Sequence, residues 1–375
     1  MLVLAGRSPA EAADWTLEAF ASERVAYDDN VGFTRTGEIS DESSRTTLGF
    51  DIDGGTEVLD LSLVSRFDFT YYSDESGLDS NDQRLVGNFG YRPGELSRLG
   101  LDVEYDRDTT RTSEEDDTGR FIFDNIRREA FEVRPSWSYQ ATRVDRFSLA
   151  GEYRTVDYES DLVDYDRYGG ALDWTHDLTR SSALGVSAFG ARVESDTVDN
   201  RESDIYGLEF GLTSEATPQL RLQFGVGVFR AETATDLVAG QSTTGFLPSA
   251  GLEFRVAPEA VLELAYARTV APSGGGNIVE RDTVDLTYRQ DWSETVSLGL
   301  DARYRAQDRV FDDGTAGRDF VRAEPSVEWR MTETWSLRAA YRYRWQSFDD
   351  EDGDSVSNAG LVTLTYRPMG WSLGG

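Results

Sequence analysis

An amphipathic hairpin from Phe320 to Trp345 constrains the fold of this chain more than any other stretch. Its first arm alternates apolar with charged side chains as far as Trp329, and after the short turn Met331–Thr334 the second arm alternates again from Trp335. A period of two places successive side chains on opposite faces of a β-strand. The second arm also carries Trp at both ends of its apolar row. Such a row is typical of a membrane-spanning strand, because amphipathic rings settle at the two bilayer interfaces.

The same alternation recurs along the whole chain. It predicts about 18 strands, within a range of about 16 to 18. They lie near residues 15–27, 46–53, 58–72, 83–92, 99–106, 126–139, 144–157, 165–177, 182–194, 203–214, 219–231, 245–256, 260–270, 280–290, 295–307, 319–330, 335–347 and 356–367. A water-soluble β-sandwich would show alternation too, so the connections between the strands have to decide between the two folds.

Every second connection in the later part of the chain is short. The short ones are Gln140–Thr142, Leu178–Arg180, Glu215–Pro218, Ala257–Glu259, Trp292–Glu294 and Met331–Thr334. The intervening ones are mostly longer and acidic, such as Thr109–Asp124, Ser195–Glu202 and Phe348–Asp354. Short turns on one rim and long loops on the other are typical of outer-membrane barrels, with the turns in the periplasm. We therefore predict an all-β fold in which residues 14–375 form one transmembrane, antiparallel, up-and-down barrel, integral to the outer membrane of a Gram-negative bacterium.

The first 13 residues have features of a secretory signal peptide rather than of a barrel strand. Met1–Ala5 is a short, largely apolar stretch, and Ala10-Glu11-Ala12 resembles the small-residue site at which signal peptidase cuts. We predict that residues 1–13 are the remnant of a secretory signal peptide and take no part in the barrel.

Composition argues against several kinds of function. The formal net charge is −32, which disfavours binding to nucleic-acid phosphates, so no nucleic-acid partner is expected. The chain has no Cys, and His176 is its single His, so neither a thiolate metal site nor a hydrolase triad is indicated. We expect no enzymatic activity, no catalytic residue, no bound metal and no cofactor.

If the apolar row faces lipid, the other row faces the lumen. A barrel of this size encloses a space too wide for side chains to fill, so an aqueous channel is expected. The predicted lumen lining is Arg66, Arg84, Arg134, Arg154, Arg221, Arg303, Arg305, Arg322, Arg338, Arg342, Arg344, Glu104, Glu132, Glu152, Asp301, Glu324 and Glu328. These charges would hydrate a polar solute and create a transverse field. The alternative for each residue is a purely structural ion pair with a neighbour on the wall.

Within that lining, the densest basic patch comprises Arg303, Arg305, Arg338, Arg342 and Arg344. Arg keeps its charge when partly desolvated and pairs bidentately with carboxylates. We predict that this patch meets acidic groups on a passing polymer.

Three descending strands share a proline at a similar depth. The shared segments are Arg134-Pro135-Ser136, Leu247-Pro248-Ser249 and Glu324-Pro325-Ser326. Proline inside a strand removes a ladder donor and usually marks an edge or a bulge. We expect the wall to bend at these three places, unless they are only the traces of a duplicated hairpin.

Strand ends and turns carry a family resemblance. Tyr27-Asp28-Asp29-Asn30, the strand end Tyr153–Tyr158 and the turn Leu178-Thr179-Arg180 are similar to those of the second family of β-barrel porins, which is often encoded beside exopolysaccharide genes. The resemblance covers nearly all of residues 15–367. It implies a porin-like conduit that carries secreted exopolysaccharide across the outer membrane. The end of the chain departs from the usual pattern, since Tyr366 is followed by nine further residues that include Trp371.

The favoured function is thus a passive conduit for secreted exopolysaccharide, and two alternatives stay open. A general diffusion porin for small polar solutes would need a long loop folded into the lumen, for which the loops at 109–125 and 232–244 are candidates. A structural or adhesive surface barrel would have a lumen blocked by side chains. Expected partners are outer-membrane lipid and lipopolysaccharide, the polysaccharide or small polar solute, the barrel assembly machinery and, because a wide pore would leak, a periplasmic export protein.

Overall fold

A computed structural model describes residues 14–117, 125–160, 162–197, 200–235, 240–272, 277–311, 317–349 and 353–373. The predicted signal-peptide remnant, 1–13, lies outside the described residues. The strands are β1 Asp14–Asp28, β2 Asp41–Gly55, β3 Leu59–Tyr72, β4 Ser80–Gly94, β5 Ser97–Thr109, β6 Arg127–Gln140, β7 Asp145–Tyr158, β8 Tyr165–Asp177, β9 Ser182–Ser195, β10 Arg201–Thr217, β11 Leu220–Ala234, β12 Gln241–Ala257, β13 Ala260–Pro272, β14 Ile278–Asp291, β15 Val296–Arg309, β16 Arg318–Arg330, β17 Trp335–Phe348, β18 Ser355–Tyr366 and β19 Trp371–Leu373.

The described helices are short: a 3-10 turn at Ser76–Leu78 and the helix α1 at Thr110–Asp117. Neither of them has the length or the apolar character that crossing a membrane would require.

The sheet closes on itself as a barrel of 18 antiparallel strands, as the alternation predicted. Each strand pairs with its neighbours in the chain, and β1 also pairs with β18 from Ala21↔Tyr366 to Asp28↔Ala359. The short β19 continues this closing ladder, with Trp371 opposite Leu17. Closure pairs the first strand with the last, so neither is left as a free edge, which is what a bilayer demands of a β-structure. The aromatic residue Trp371 therefore belongs to the wall.

The outward face is apolar and has aromatic side chains at both ends. At the end with the short connections, which we call the turn rim, the Trp335 and Tyr366 rings lie 4.7 Å apart. At the opposite end, the loop rim, the Tyr153 and Tyr168 rings lie 5.2 Å apart. Large apolar side chains between these ends, such as Leu208, remain exposed on this face. This distribution matches a lipid-facing surface with aromatic girdles.

The three predicted proline sites each interrupt the hydrogen-bonded ladder to the next strand. In β6 the ladder to β7 skips Pro135 and in β16 the ladder to β17 skips Pro325, and both ladders then resume in the same register. In β12 the ladder to β13 stops at Ser249↔Ala267 and does not resume beyond Pro248. Proline lacks the N–H that the ladder needs, which explains why all three gaps fall on the same side of the strand.

Beyond that third proline, the ends of β13 and β14 at the loop rim turn into the barrel. Leu286 of β14 faces outward, paired with the exposed Leu264. Ile278 is an even number of residues away on the same strand, so it belongs to the same face. Ile278 is nonetheless buried in one apolar cluster with Phe229 and Leu247, which belong to the inner face of β11 and β12. The outer face of β13–β14 thus packs on the inner face of its neighbours. We call the unpaired stretch between Thr244–Pro248 and Arg268–Pro272 the seam.

Candidate functional site

The predicted lumen lining lies on the inner face. On each strand these residues alternate with the exposed apolar residues of the outer face, and the register aligns them across strands, as in Arg66↔Arg84 and Asp301↔Glu324. The set placed on the inner face comprises Arg66, Arg84, Arg134, Arg154, Arg221, Arg303, Arg305, Arg322, Arg338, Arg342, Arg344, Glu104, Glu132, Glu152, Asp301, Glu324 and Glu328. Their role in a solute path stays a prediction.

Much of this lining is paired along the wall. Arg84 lies 2.6 Å from Glu104 and Arg134 lies 3.0 Å from Glu132. Glu324 receives Arg338 at 3.0 Å and also contacts Arg322 at 3.4 Å. Structural pairing of neighbours, the alternative stated for each residue, therefore accounts for many of these side chains.

Arginines nevertheless accumulate on one side of the lumen, on β15–β17 and across the closure onto β1 and β2. Arg303, Arg322 and Arg344 lie directly opposite one another on three successive strands. Like charges in directly opposed positions destabilise a sheet. We call this region the arginine sector; it comprises Arg24, Arg45, Arg303, Arg305, Arg322, Arg338, Arg342 and Arg344. The basic patch predicted from the sequence is part of it.

Arg24 and Arg45 were not anticipated as lumen residues. They face each other across the β1–β2 ladder, and Thr363 separates Arg24 from Arg338 on the other side. Arg45 donates through Nε to the Thr70 hydroxyl at 3.0 Å, and among the described residues neither Arg24 nor Arg45 has a carboxylate within 4 Å. The alternation with Val25 pointed to Arg24. Arg45 was missed because β2 begins at Asp41, before the predicted start at 46.

The segment between β1 and β2, residues 29–40, folds into the mouth of the lumen beside the arginine sector. We call it the strap. Its Val31 and Phe33 side chains are almost fully buried, and the Phe33 ring packs edge-on against Phe320 at 6.3 Å. The Arg344 guanidinium lies 4.8 Å from the centre of the Phe33 ring. Phe33 has a φ of +47°, a left-handed conformation that is uncommon for a bulky residue. This inward fold was not predicted, because residues 29–40 are mostly polar and lack strand alternation.

Asp28 connects the strap to the arginine sector. Its carboxylate accepts hydrogen bonds from Arg344 at 3.0 Å, Arg342 at 3.2 Å and the Ser357 hydroxyl at 2.8 Å. Asn30 holds the start of the strap by donating to the Val356 carbonyl at 2.9 Å. An acidic side chain of the protein itself thus occupies part of the cationic surface at the loop rim.

Of the two loops proposed to constrict the lumen, one is partly described and contacts the strap, and the centre of the other lies outside the described residues. The described part of the loop at 109–125 contains α1, in which Thr110 and Ser113 are buried and Arg111 donates to the Val31 carbonyl of the strap at 3.1 Å. This loop therefore supports the strap within the mouth. In the loop at 232–244, residues 236–239 lie outside the described residues, and the flanking segments are the ends of β11 and β12.

Two polar cavities lie within the lumen, on the turn-rim side of the strap. One of about 1050 Å³ lies toward the turn rim and is lined by residues that include Asp53, Asp60, Arg98 and Asp102. Another of about 500 Å³ lies between β14 and β17, where Arg289, Asp301, Arg322, Glu324 and Arg338 are among its lining. These spaces are lined by charged and polar side chains, as expected for the interior of a wide barrel.

His176 lies away from these charges, at the turn rim. Its Nδ1 is 2.8 Å from an Asp145 oxygen, and its ring lies 5.7 Å from that of Trp174. Within the described ranges, no group of three or more His, Cys, Asp or Glu side chains is arranged to hold a metal ion.

No family model matches the sequence, and no curated protein matches it. Solved structures with a similar fold include the ferric citrate transporter FecA in its unliganded form, at a TM-score of 0.51 and 10% identity over 98% of this chain and 71% of that one. The FrpB iron transporter from Neisseria meningitidis gives 0.52 and 9% over 89% and 62%, and the copper transporter OprC gives 0.51 and 14% over 94% and 69%. The chain is thus shorter than these transporters. At such low identity the likeness establishes the fold alone, which is that of an outer-membrane barrel.

Proposed function

We propose that this barrel is a passive outer-membrane conduit for an acidic exopolysaccharide on its way out of the cell. The observation that carries the proposal is the opposition of Arg24 and Arg45 on the inner face, with no carboxylate within 4 Å of either among the described residues. Glu324 and Asp68 partly offset the charge of Arg24, but among the described residues no carboxylate bridges the two cations, which therefore repel each other. A row of sugar carboxylates supplies such anions repeatedly along a polymer, and Arg binds each of them with good geometry.

The strap suggests how the polymer enters this surface. Asp28 already pairs with Arg342 and Arg344 as a polymer carboxylate would. Carboxylates arriving along the lumen would exchange with Asp28, and the strap, which is anchored through that residue, would give way. A conduit of this kind is narrowed by the strap when empty and widens when polymer enters, which limits the leak expected of a wide pore.

Single-channel conductance in a planar bilayer tests the proposal. The refolded barrel is recorded alone, with polygalacturonate as the acidic polymer, and with uncharged dextran of the same size. Polygalacturonate is expected to interrupt the current at concentrations at which dextran has no effect. Equal effects of the two polymers would contradict the role of the arginine sector.

A general diffusion porin is the second candidate, and the polar cavities of about 1050 and 500 Å³ favour it. It predicts large, steady conductance that neither polymer interrupts. The buried strap favours the third candidate, a surface barrel with a blocked lumen. That reading predicts no conductance from protein whose insertion is demonstrated independently, for instance by its resistance to protease in the same vesicles.

A further inference from the structure

The lipid-facing wall is interrupted by a groove near the loop rim. It has a volume of about 570 Å³ and lies on β10–β12, where the outward side chains Tyr206, Leu208, Val228 and Phe246 are among its lining. Gly207 and Gly245 also border it, together with Phe189 and Phe229, two inner-face rings that lie against these glycines. The outer surface of a barrel is convex, so a concave apolar site of this size is a distinct feature.

The seam keeps this groove open on one side. Phe246 lies on the stretch of β12 that has lost its ladder to β13, and its side chain is 67% exposed. With β13 turned inward at this level, the described strands leave the groove uncovered on that side. Lipid is the phase in contact with that opening.

Polar groups border the loop-rim end of the groove. Arg230 lines it, donating through Nε to Glu232 at 2.7 Å and through a terminal nitrogen to the Ser242 hydroxyl at 3.5 Å. The Tyr206 hydroxyl donates to the same Glu232 carboxylate at 3.1 Å. A guanidinium has five N–H donors, and the Arg230 side chain is 48% exposed, so donors remain directed outward. The groove is therefore apolar along its length and hydrogen-bonding at one end.

We propose that the groove holds one acyl chain of a membrane lipid, with an oxygen of the lipid headgroup accepting a hydrogen bond from Arg230. A chain gains no hydrophobic free energy by moving from bilayer to groove, since both are apolar. Retention comes from close packing in a concave site and from the headgroup hydrogen bond. The site opens on the lipid-facing side of the wall, and it holds lipid whether or not the barrel conducts polymer.

Photolabelling tests the proposal with the intact barrel in phosphatidylcholine vesicles. The probe is a phosphatidylcholine that carries a diazirine on one acyl chain, and labelled residues are mapped by mass spectrometry. Leu208, Val228 and Phe246 are expected to be labelled several-fold more than Val362, an outward residue of β18 with nearly the same exposure as Val228, 49% against 48%. Labelling of all these residues in proportion to exposure would overturn the proposal.

Two variant pairs sharpen the result. Val228→Trp fills the groove and is expected to abolish the excess labelling of Leu208 and Phe246 over Val362, whereas Val327→Trp adds the same ring to the outer face of β16 and leaves the excess unchanged. Arg230→Gln is expected to reduce the excess, while Arg192→Gln, another outward ion-paired arginine, leaves it unchanged. Equal effects within either pair would contradict the assignment. The wild-type labelling pattern decides the question even if a Trp variant fails to fold.

Discussion

Single residues show how charge is tolerated on the lipid-facing wall. Glu23 lies on the outward row of β1, yet its carboxylate accepts hydrogen bonds from the Ser44 hydroxyl and, at 2.6 Å, from the Thr46 hydroxyl on β2. A carboxylate facing lipid is unfavourable unless such partners satisfy it. The two hydroxyls therefore stabilise the barrel chiefly by supporting Glu23.

We predict that Thr46→Val lowers the free energy of unfolding by about 1–3 kcal/mol, because it leaves a carboxylate oxygen without its donor. In the double variant Glu23→Leu/Thr46→Val the loss should largely disappear, since donor and acceptor are removed together. Denaturant unfolding in micelles measures both, and a double-mutant cycle gives the coupling. Additive effects of the two changes would show that Glu23 does not depend on Thr46.

At the scale of strands, we predict that replacing Pro325 and replacing Pro248 have different effects on stability. Pro325→Val restores an N–H where the β16–β17 ladder resumes beyond the gap, so it should stabilise the barrel by about 0.5–1.5 kcal/mol. Pro248→Val adds an N–H at the seam, where β13 has turned away, so no gain is expected there. Unfolding midpoints of the two variants test this, and equal stabilisation would mean that β12 and β13 can pair along their full length.

Individual strands also show what the sequence can predict. Alternation placed a strand at 335–347, and β17 runs Trp335–Phe348, because a period of two is visible within one strand. The seam was predicted only as a bend at Pro248. Its outcome depends on whether the apolar Ile278 side chain finds a site on the inner wall, which is a contact between distant parts of the chain. For the same reason, alternation predicted that Arg344 faces the lumen, whereas its contacts with Phe33 and Asp28, which lie far away in the sequence, were not predicted.

For the whole molecule, the strap sets how much of the lumen is open. Phe33→Ala removes a nearly fully buried ring, a change that costs about 3–5 kcal/mol in a well-packed core, so the strap should leave the mouth more often. We predict a higher single-channel conductance than in the wild type. Phe131→Ala, which truncates an exposed outward ring on β6, should leave the conductance unchanged. Unchanged conductance in Phe33→Ala would show that the strap does not restrict the pore.

The central claim is that the arginine sector binds an acidic polymer in the lumen, and current block by polygalacturonate in the double variant Arg24→Gln/Arg45→Gln tests it most directly. Each lost charge-assisted hydrogen bond is worth about 1.5–3 kcal/mol, so the blocking concentration should rise at least about tenfold. The matched variant Arg180→Gln/Arg192→Gln removes the same charge from a turn and from the outer face. Polygalacturonate should block it at the same concentration as the wild type. Equal block in all three proteins would contradict the account.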